Sequence, residues 1–311
     1  MTETKWFIII NPKAGGGKGL RKWKKIQQLL NKMAMDYDFA WSESAGHSMV
    51  LAQEAVEKGY RRLAAVGGDG TAHEVVNGMI EQTAVPSDQL VFGLIPVGTG
   101  NDWIKTHNIP NNYKKAILLL QAANTKLHDV GKIDYHTPEG NPQHRYFINV
   151  AGLAYDAFVT KATNEKRPFW GKGQLYYLYV ILRCMTSYVP QPIKLELDGQ
   201  QLEHAFYNIT IGQCQYNGGG TKLVPHAVPD DGLFALTVFK DISAWDLIIN
   251  TPKLYSGNII HHKEAYYTQT KSIQITSPID QPAYIEADGE LLGQTPIQLT
   301  MLPKAIRVVV R

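Results

Sequence analysis

The stretch Ala65-Val-Gly-Gly-Asp-Gly-Thr-Ala-His-Glu-Val-Val-Asn-Gly-Met79 leaves an apolar run, sets three glycines around one aspartate and then starts an amphipathic helix. Leu63 to Val66 reads as a buried strand, and Ala72, Val75, Val76, Met79 and Ile80 recur at helical spacing on one face. The same alternation runs outward on both sides. Trp6 to Asn11 predicts a strand, after which Trp23, Ile26, Leu30 and Met33 mark the apolar face of a helix. Asp36 to Trp41 predicts a second strand and His47 to Lys58 a helix; Val91 to Ile95 predicts a fourth strand, with helical stretches to about Asn124. Repeated strand-helix units with buried strands imply a parallel sheet covered on both faces.

From about Lys126 the texture changes. Turn signals appear in Thr137-Pro-Glu-Gly-Asn-Pro142, Asp198-Gly199, Asp231-Gly232 and Asp288-Gly289, beside strand-like runs at Lys194 to Leu197, Phe206 to Ile211 and Leu233 to Phe239. They predict a mainly antiparallel second domain with one helix, Gln174 to Met185, and two domains suit a chain of 311 residues.

Composition narrows the function classes. With 31 basic and 28 acidic residues the formal charge is +3, too small a surplus to imply nucleic-acid binding. Lys13, Lys18, Arg21, Lys22, Lys24 and Lys25 are nevertheless crowded together, as a solvated helix face or as a surface for phosphates or an anionic membrane. Cys184 and Cys214 are too few for a disulfide framework and lack metal-ligand spacing, so buried thiols in a reducing compartment are expected. No signal peptide and no uncharged run of about 18 residues is visible, which makes any membrane contact peripheral.

The glycine loops fit neither of two familiar phosphate motifs. Around Gly17-Lys18 the P-loop positions hold Pro12 and Gly19, and the dinucleotide fingerprint fails at His73 and at Trp103, where a third glycine belongs. What remains is three glycine-rich loops, each directly after a predicted strand: Asn11-Pro-Lys-Ala-Gly-Gly-Gly-Lys-Gly19, Gly67-Gly-Asp-Gly-Thr71 and Pro96-Val-Gly-Thr-Gly-Asn-Asp102. In a parallel sheet they share the carboxyl edge, where bare backbone lets amides approach phosphate oxygens. One nucleotide phosphate site is therefore expected from Gly15, Gly16, Lys18, Gly68, Gly70, Thr71, Gly98 and Thr99. Asp69 would stand at its mouth, with a cation between it and the phosphates, orienting a nucleotide hydroxyl or water, or as the N-cap of the next helix.

"NPKAGGGKG", "GGDGTAHEVVNG", "PVGTGNDW" and "EADGE", in that order over nearly the whole chain, resemble the diacylglycerol kinase catalytic-domain family, and most of all its soluble bacterial lipid kinases. The resemblance implies an α/β nucleotide-binding domain with a mainly parallel sheet (1–127), a mainly antiparallel β-sandwich lipid-substrate domain (128–304), and a last strand (305–311) that returns to the first. It implies ATP bound between the domains, Mg²⁺, and a cytoplasmic enzyme, peripheral to the membrane, acting on a diacylglycerol-like lipid at a membrane surface; homodimerisation stays open. Asn11, Gly68, Asp69, Gly70, Thr71 and Thr99 fall on nucleotide-loop positions. Asp102 and Asp129 match acidic positions of a water and metal network, Asp231 a structural Mg²⁺ position, and Glu290 the base that takes the lipid hydroxyl proton, with Asp288 beside it.

His73 and Trp103 depart from the family pattern; His73, one turn from Asn77 on a polar face, reads either as a surface or capping residue or as a change in nucleotide preference. Pro168-Phe-Trp-Gly-Lys-Gly-Gln-Leu-Tyr-Tyr-Leu-Tyr179, with Lys172, reads as an interface segment or as ordinary core. Two rival functions share the glycine-aspartate loop: an NAD-kinase-like enzyme with a soluble acceptor, and a nucleotide-binding regulator without turnover.

Overall fold

Five apolar residues, Trp6–Ile10, form β1, an inner strand of the N-terminal sheet, paired on both sides. The computed structural model describes residues 4–165, 179–180, 183–185 and 187–311. They divide into two units, Met1–Val130 with Pro303–Arg311, and Gly131–Leu302.

In the first unit β1 lies parallel to β2 (Tyr37–Trp41) and β3 (Arg62–Gly67), β3 to β4 (Val91–Pro96), and the end of the final strand to β4 with Arg307 opposite Val91. The helices are α1 (Ala14–Lys32), α2 (His47–Glu57), α3 (Asp69–Glu81), α4 (Trp103–Thr106) and α5 (Tyr113–Ala122). Trp23, Ile26 and Leu30 of α1 pack on Ile8, Ile10 and Val66 of the sheet, and each such side chain contributes about 1.5–3 kcal/mol by leaving water. Lys13, Lys18, Arg21, Lys24 and Lys25 stay exposed on the opposite side of α1.

Two local readings change here. The N-cap of α3 is Gly68, and Asp69 is the first helical residue. His73 and Asn77 are buried, 0% and 1% exposed, and α2 packs against the same helix at Gly78, where a Cβ would come within 2.2 Å of the Met49 carbonyl oxygen. Glu74 on the same helix accepts the N–H groups of Gly46 (2.9 Å) and Ser48 (3.1 Å) and so completes the N-terminus of α2, where a carboxylate also suits the helix dipole.

The second unit contains the latter half of β5 (Thr125–His136), then β6 (Pro142–Phe147), β7 (Val150–Ala154), α6 (Tyr155–Glu165), β8 (Gln191–Leu197), β9 (Gln200–Phe206), β10 (Asn208–Gly212), β11 (Phe234–Phe239), α7 (Ala244–Ile249), α8 (Thr251–Ser256), β12 (Ala265–Thr270), β13 (Ser272–Thr276), β14 (Tyr284–Ala287) and the start of β15 (Glu290–Val309). Antiparallel ladders run β12-β11-β10-β7-β14-β15, and β13 joins β15 to β8 and β9. Leu153, Ile209, Leu236 and Ile285 from one ladder meet Leu195, Ile273 and Leu299 from the other in one core, which makes a β-sandwich.

The expected strand Phe206 to Ile211 is broken at Tyr207. Phe206 pairs with Gln191 of β8 whereas Asn208 pairs with Phe239 of β11, so the chain changes ladder there; the Tyr207 N–H goes to the carbonyls of Phe239 (2.9 Å) and Lys240 (3.1 Å). The two short helices α7 and α8 have no counterpart in the sequence reading. The Pro168–Tyr179 segment apart from Tyr179, and most of the expected helix Gln174 to Met185, lie outside the described residues. Among the described residues no helix is long and apolar enough to cross a membrane.

Candidate functional site

In the first unit the glycine loops meet. Gly15, Gly16 and Gly17 hold φ of 58°, 69° and 86°, a left-handed run that only glycine adopts without strain, and regular helix begins after them. A Cβ on Gly15 would stand 2.1 Å from the Val97 carbonyl oxygen, and one on Gly98 2.6 Å from the Gly68 Cα. The loops after β1, β3 and β4 are therefore in backbone contact at one edge of the sheet. Asn11 Nδ2 donates to Thr71 Oγ1 at 3.1 Å, and Asn11 Oδ1 accepts the Lys13 N–H at 2.9 Å, which locks the first loop to the start of α3. Lys18, Gly70 and Thr99 are exposed at this edge.

Asp69 faces the third loop. Its carboxylate accepts the N–H groups of Asp102 (3.0 Å) and Trp103 (3.1 Å), and a Cβ on Gly100 would lie 3.4 Å from Asp69 Oδ2 and 3.7 Å from Asp102 Oδ2. Asp102 forms an ion pair with Lys105 at 2.5 Å. Trp103 is fully buried against Phe92 and His107, with ring centroids 5.5 and 4.5 Å away. Asp129 is fully buried, and its Oδ1 accepts the Lys304 N–H at 2.6 Å, which ties the returning end of the chain to β5.

In the second unit Asp288, at φ 51°, accepts the N–H groups of Ile148 (3.0 Å), Asn149 (3.0 Å) and Val150 (3.2 Å). That grip positions the Asp288-Gly289 turn from which Glu290 projects, 3.4 Å from Arg145 Nη2. Asp231 stands exposed before β11 and accepts from the Leu233 N–H and from Gln269 Nε2, both at 3.0 Å.

Beside this turn lies a cavity of about 210 Å³, walled by Val159, Leu223, Phe239 and Leu254 and bounded by Gly289. Asp156, Glu286 and Tyr207 supply its polar side. The first two converge: Glu286 Oε1 and Asp156 Oδ2 lie 2.8 and 2.9 Å from the point a Cβ on Gly152 would occupy. Burial raises the Asp156 carboxyl to about 6, against the bonds it accepts from Asn208 Nδ2 (3.1 Å) and Thr210 Oγ1 (3.2 Å). Burial, and then the neighbouring Asp156, raise Glu286 well above the usual carboxylate range. The buried Tyr207 hydroxyl has no hydrogen-bond partner among the described residues.

Comparison with known families sets this geometry in context. The diacylglycerol kinase catalytic domain matches residues 5–133, and the YegS C-terminal NAD kinase beta sandwich-like domain matches 149–310, half of the chain. The chain belongs to the family of the YegS C-terminal NAD kinase beta sandwich-like domain, joined to a diacylglycerol kinase catalytic domain. Among its relatives, a diacylglycerol kinase of Staphylococcus carnosus is 28% identical over 303 residues, covering 97% of this chain and 93% of that protein. One from Staphylococcus aureus is 29% identical over 304 residues, covering 97% and 90%. The crystal structure of a diacylglycerol kinase from Bacillus anthracis matches in fold with a TM-score of 0.71 at 21% identity, over 100% of this chain and 98% of the other. Yeast NADH kinase shares the fold more loosely, with a TM-score of 0.54 at 11% identity over 99% and 84%.

Sequence reasoning missed the Asp156, Glu286 and Tyr207 group. The available signal was Gly152 inside an otherwise apolar strand, since a strand glycine marks close approach of something else. Here that is the carboxylate pair.

Proposed function

We propose that the protein is an ATP-dependent lipid kinase that transfers the γ-phosphoryl group to the hydroxyl of a diacylglycerol-like acceptor. The observation that carries this reading is the backbone contact among the three glycine loops at Gly15, Gly68 and Gly98, beside the N-terminus of α3. Such an edge offers N–H groups and a helix dipole to phosphate oxygens without side chains in the way. The apolar cavity with carboxylates and a tyrosine hydroxyl on its polar side supports an acceptor with a greasy body and a hydroxyl head.

Phosphoryl transfer needs positioning and charge neutralisation more than covalent help. Asn11, Gly15, Gly16, Lys18, Gly68, Gly70, Thr71, Gly98 and Thr99 hold the nucleotide, substrate of the reaction. Mg²⁺ fits the carboxylates of Asp69 and Asp102, which converge above Gly100 as hard oxygen donors, and when bound it neutralises phosphate charge. Asp231 is assigned a separate structural cation position, while Asp129 holds the Lys304 backbone. Glu290 takes the acceptor hydroxyl proton; the acceptor oxygen bonds to the γ-phosphorus, and the bond to the β-phosphate oxygen breaks to release ADP. Asp288 fixes the turn that presents Glu290.

The test is transfer of labelled phosphate from ATP, with Mg²⁺, into the chloroform-soluble fraction of a total lipid extract. Label should appear with wild type and not with Asp69→Ala. Absence of label, with ATP binding confirmed, would overturn the lipid-kinase reading in favour of a soluble acceptor or a regulator.

A further inference from the structure

Helices α7 and α8 carry an apolar surface that the described residues of the second unit leave open. Trp245 is 73% exposed, Ile249 72%, Tyr255 54% and Ile248 43%. Trp245, Ile248 and Ile249 stand at i, i+3 and i+4 and share one face of α7. The single acid of α7, Asp246, is turned back on Ser243, whose hydroxyl it accepts at 2.7 Å, while α8 contributes the exposed Lys253. Ile248 and Tyr255 also line the cavity beside Asp156 and Glu286, so the open surface runs into the cavity wall.

Large apolar side chains left in water at one place mark a surface built for a partner. The four side chains offer roughly 500 Å², taking about 200 Å² for a fully exposed aromatic. That is well short of the about 800 Å² per partner of a stable protein dimer. Tryptophan, tyrosine and isoleucine on short helices, with a lysine beside them and no outward acid on α7, suit the boundary between headgroups and acyl chains. We propose that the α7–α8 surface, centred on Trp245 and Ile249, docks on a lipid bilayer and passes a membrane-embedded acceptor to the cavity past Ile248 and Tyr255. The second half of this proposal rests on the lipid-kinase reading; docking itself is measured without turnover.

The experiment is co-sedimentation of the full chain with phosphatidylcholine vesicles containing a minor fraction of diacylglycerol, for wild type, Trp245→Ser/Ile249→Ser and Ile249→Lys alone. Neither residue lines the cavity, so both variants should keep the thermal midpoint and the wild-type rate on a short-chain, water-dispersed diacylglycerol. The vesicle partition coefficient should fall about tenfold or more in the double variant, the order expected when two large apolar side chains lose their burial. Unchanged partitioning in both variants would overturn the proposal. So would a wild-type dimer that the double variant converts to monomer, because the surface would then be a contact between copies. Lost partitioning together with wild-type inactivity on every lipid would uphold docking and overturn only the kinase reading.

Discussion

Asp69 holds the backbone N–H of Trp103, 34 residues further along the chain, at 3.1 Å. With the Asp102 N–H at 3.0 Å on its other oxygen, one carboxylate joins the start of α3 to the start of α4 and pins the Gly98–Asn101 loop between them. Asp69→Ala strands both donors and should lower stability by about 2–3 kcal/mol as well as abolish turnover. Asp69→Asn keeps one acceptor and should lose about half as much in urea denaturation. Wild-type stability in both variants would show that the loop does not depend on this link.

Glu290→Gln removes the proton acceptor while preserving shape. Turnover should fall by a factor of about 10² to 10⁴, with nucleotide affinity within about twofold of wild type. Arg145→Ala should change stability by no more than about 1 kcal/mol, because the pair is partly exposed at 24% and 35%. Full turnover in Glu290→Gln would remove the residue from the mechanism.

The Asp156 and Glu286 pair makes stability depend on pH. Asp156 has a native value of about 6 against an ordinary carboxyl value of 3.8, so the native protein holds more protons than the unfolded chain between about pH 4 and 6. Its contribution is complete below the unfolded value and is lost as pH rises through the native one, by roughly 3 kcal/mol. Glu286 is shifted in the same direction, and because the two interact the titration belongs to the pair. Urea denaturation from pH 4 to 7 should show this decline in wild type and a flatter profile in Asp156→Asn. An equal slope in the two proteins would contradict the assignment.

Three glycine substitutions separate backbone needs from ligand space. Gly15→Ala meets the Val97 carbonyl at 2.1 Å and Gly98→Ala the Gly68 Cα at 2.6 Å, so both should loosen the loops and weaken ATP binding about tenfold or more. Around Gly70 nothing lies within 4 Å of an added Cβ, and its φ is ordinary. Gly70→Ala should therefore keep or slightly raise stability, and a loss of ATP affinity there would report phosphate in that space. Unchanged affinity in all three would place the nucleotide elsewhere.

Asp129→Asn tests the divided assignment of the buried acids. Its Oδ1 holds the Lys304 N–H at 2.6 Å, a bond that the amide oxygen of asparagine still accepts, so the variant should lose no more than about 1 kcal/mol of stability while its half-saturating Mg²⁺ concentration stays at the wild-type value. A raised Mg²⁺ requirement with intact stability would make Asp129 a cation ligand instead.

What the sequence discloses is what local chemistry controls. β1, β3 and β4 are readable because each is a continuous apolar run that ends in a turn residue, and α1 because Trp23, Ile26 and Leu30 keep a helical period. The glycine loops are readable for the same reason. The Asp288 turn is visible as a turn, but not its three N–H partners, which lie 138 to 140 residues earlier. Glu286 meets Asp156 only because β14 pairs with β7 in the register that sets Glu286 opposite Gly152, and no local period encodes that register. Tyr207 sits where one apolar run serves two ladders, so alternation alone reads straight through it.

The end of β15 also bears on biosynthesis. The first unit's sheet acquires its outermost parallel strand from residues at the far end of the chain, through the Arg307 N–H to Leu90 and the Val310 N–H to Asn124. A ribosome makes the whole of the second unit, Gly131–Leu302, before those residues emerge. The N-terminal unit therefore waits with one flank of β4 unpaired until Pro303–Arg311 has been made, in contrast to domains that complete themselves in order of synthesis. A nascent chain arrested just short of residue 303 should accordingly be more open to protease near β4 than the released protein.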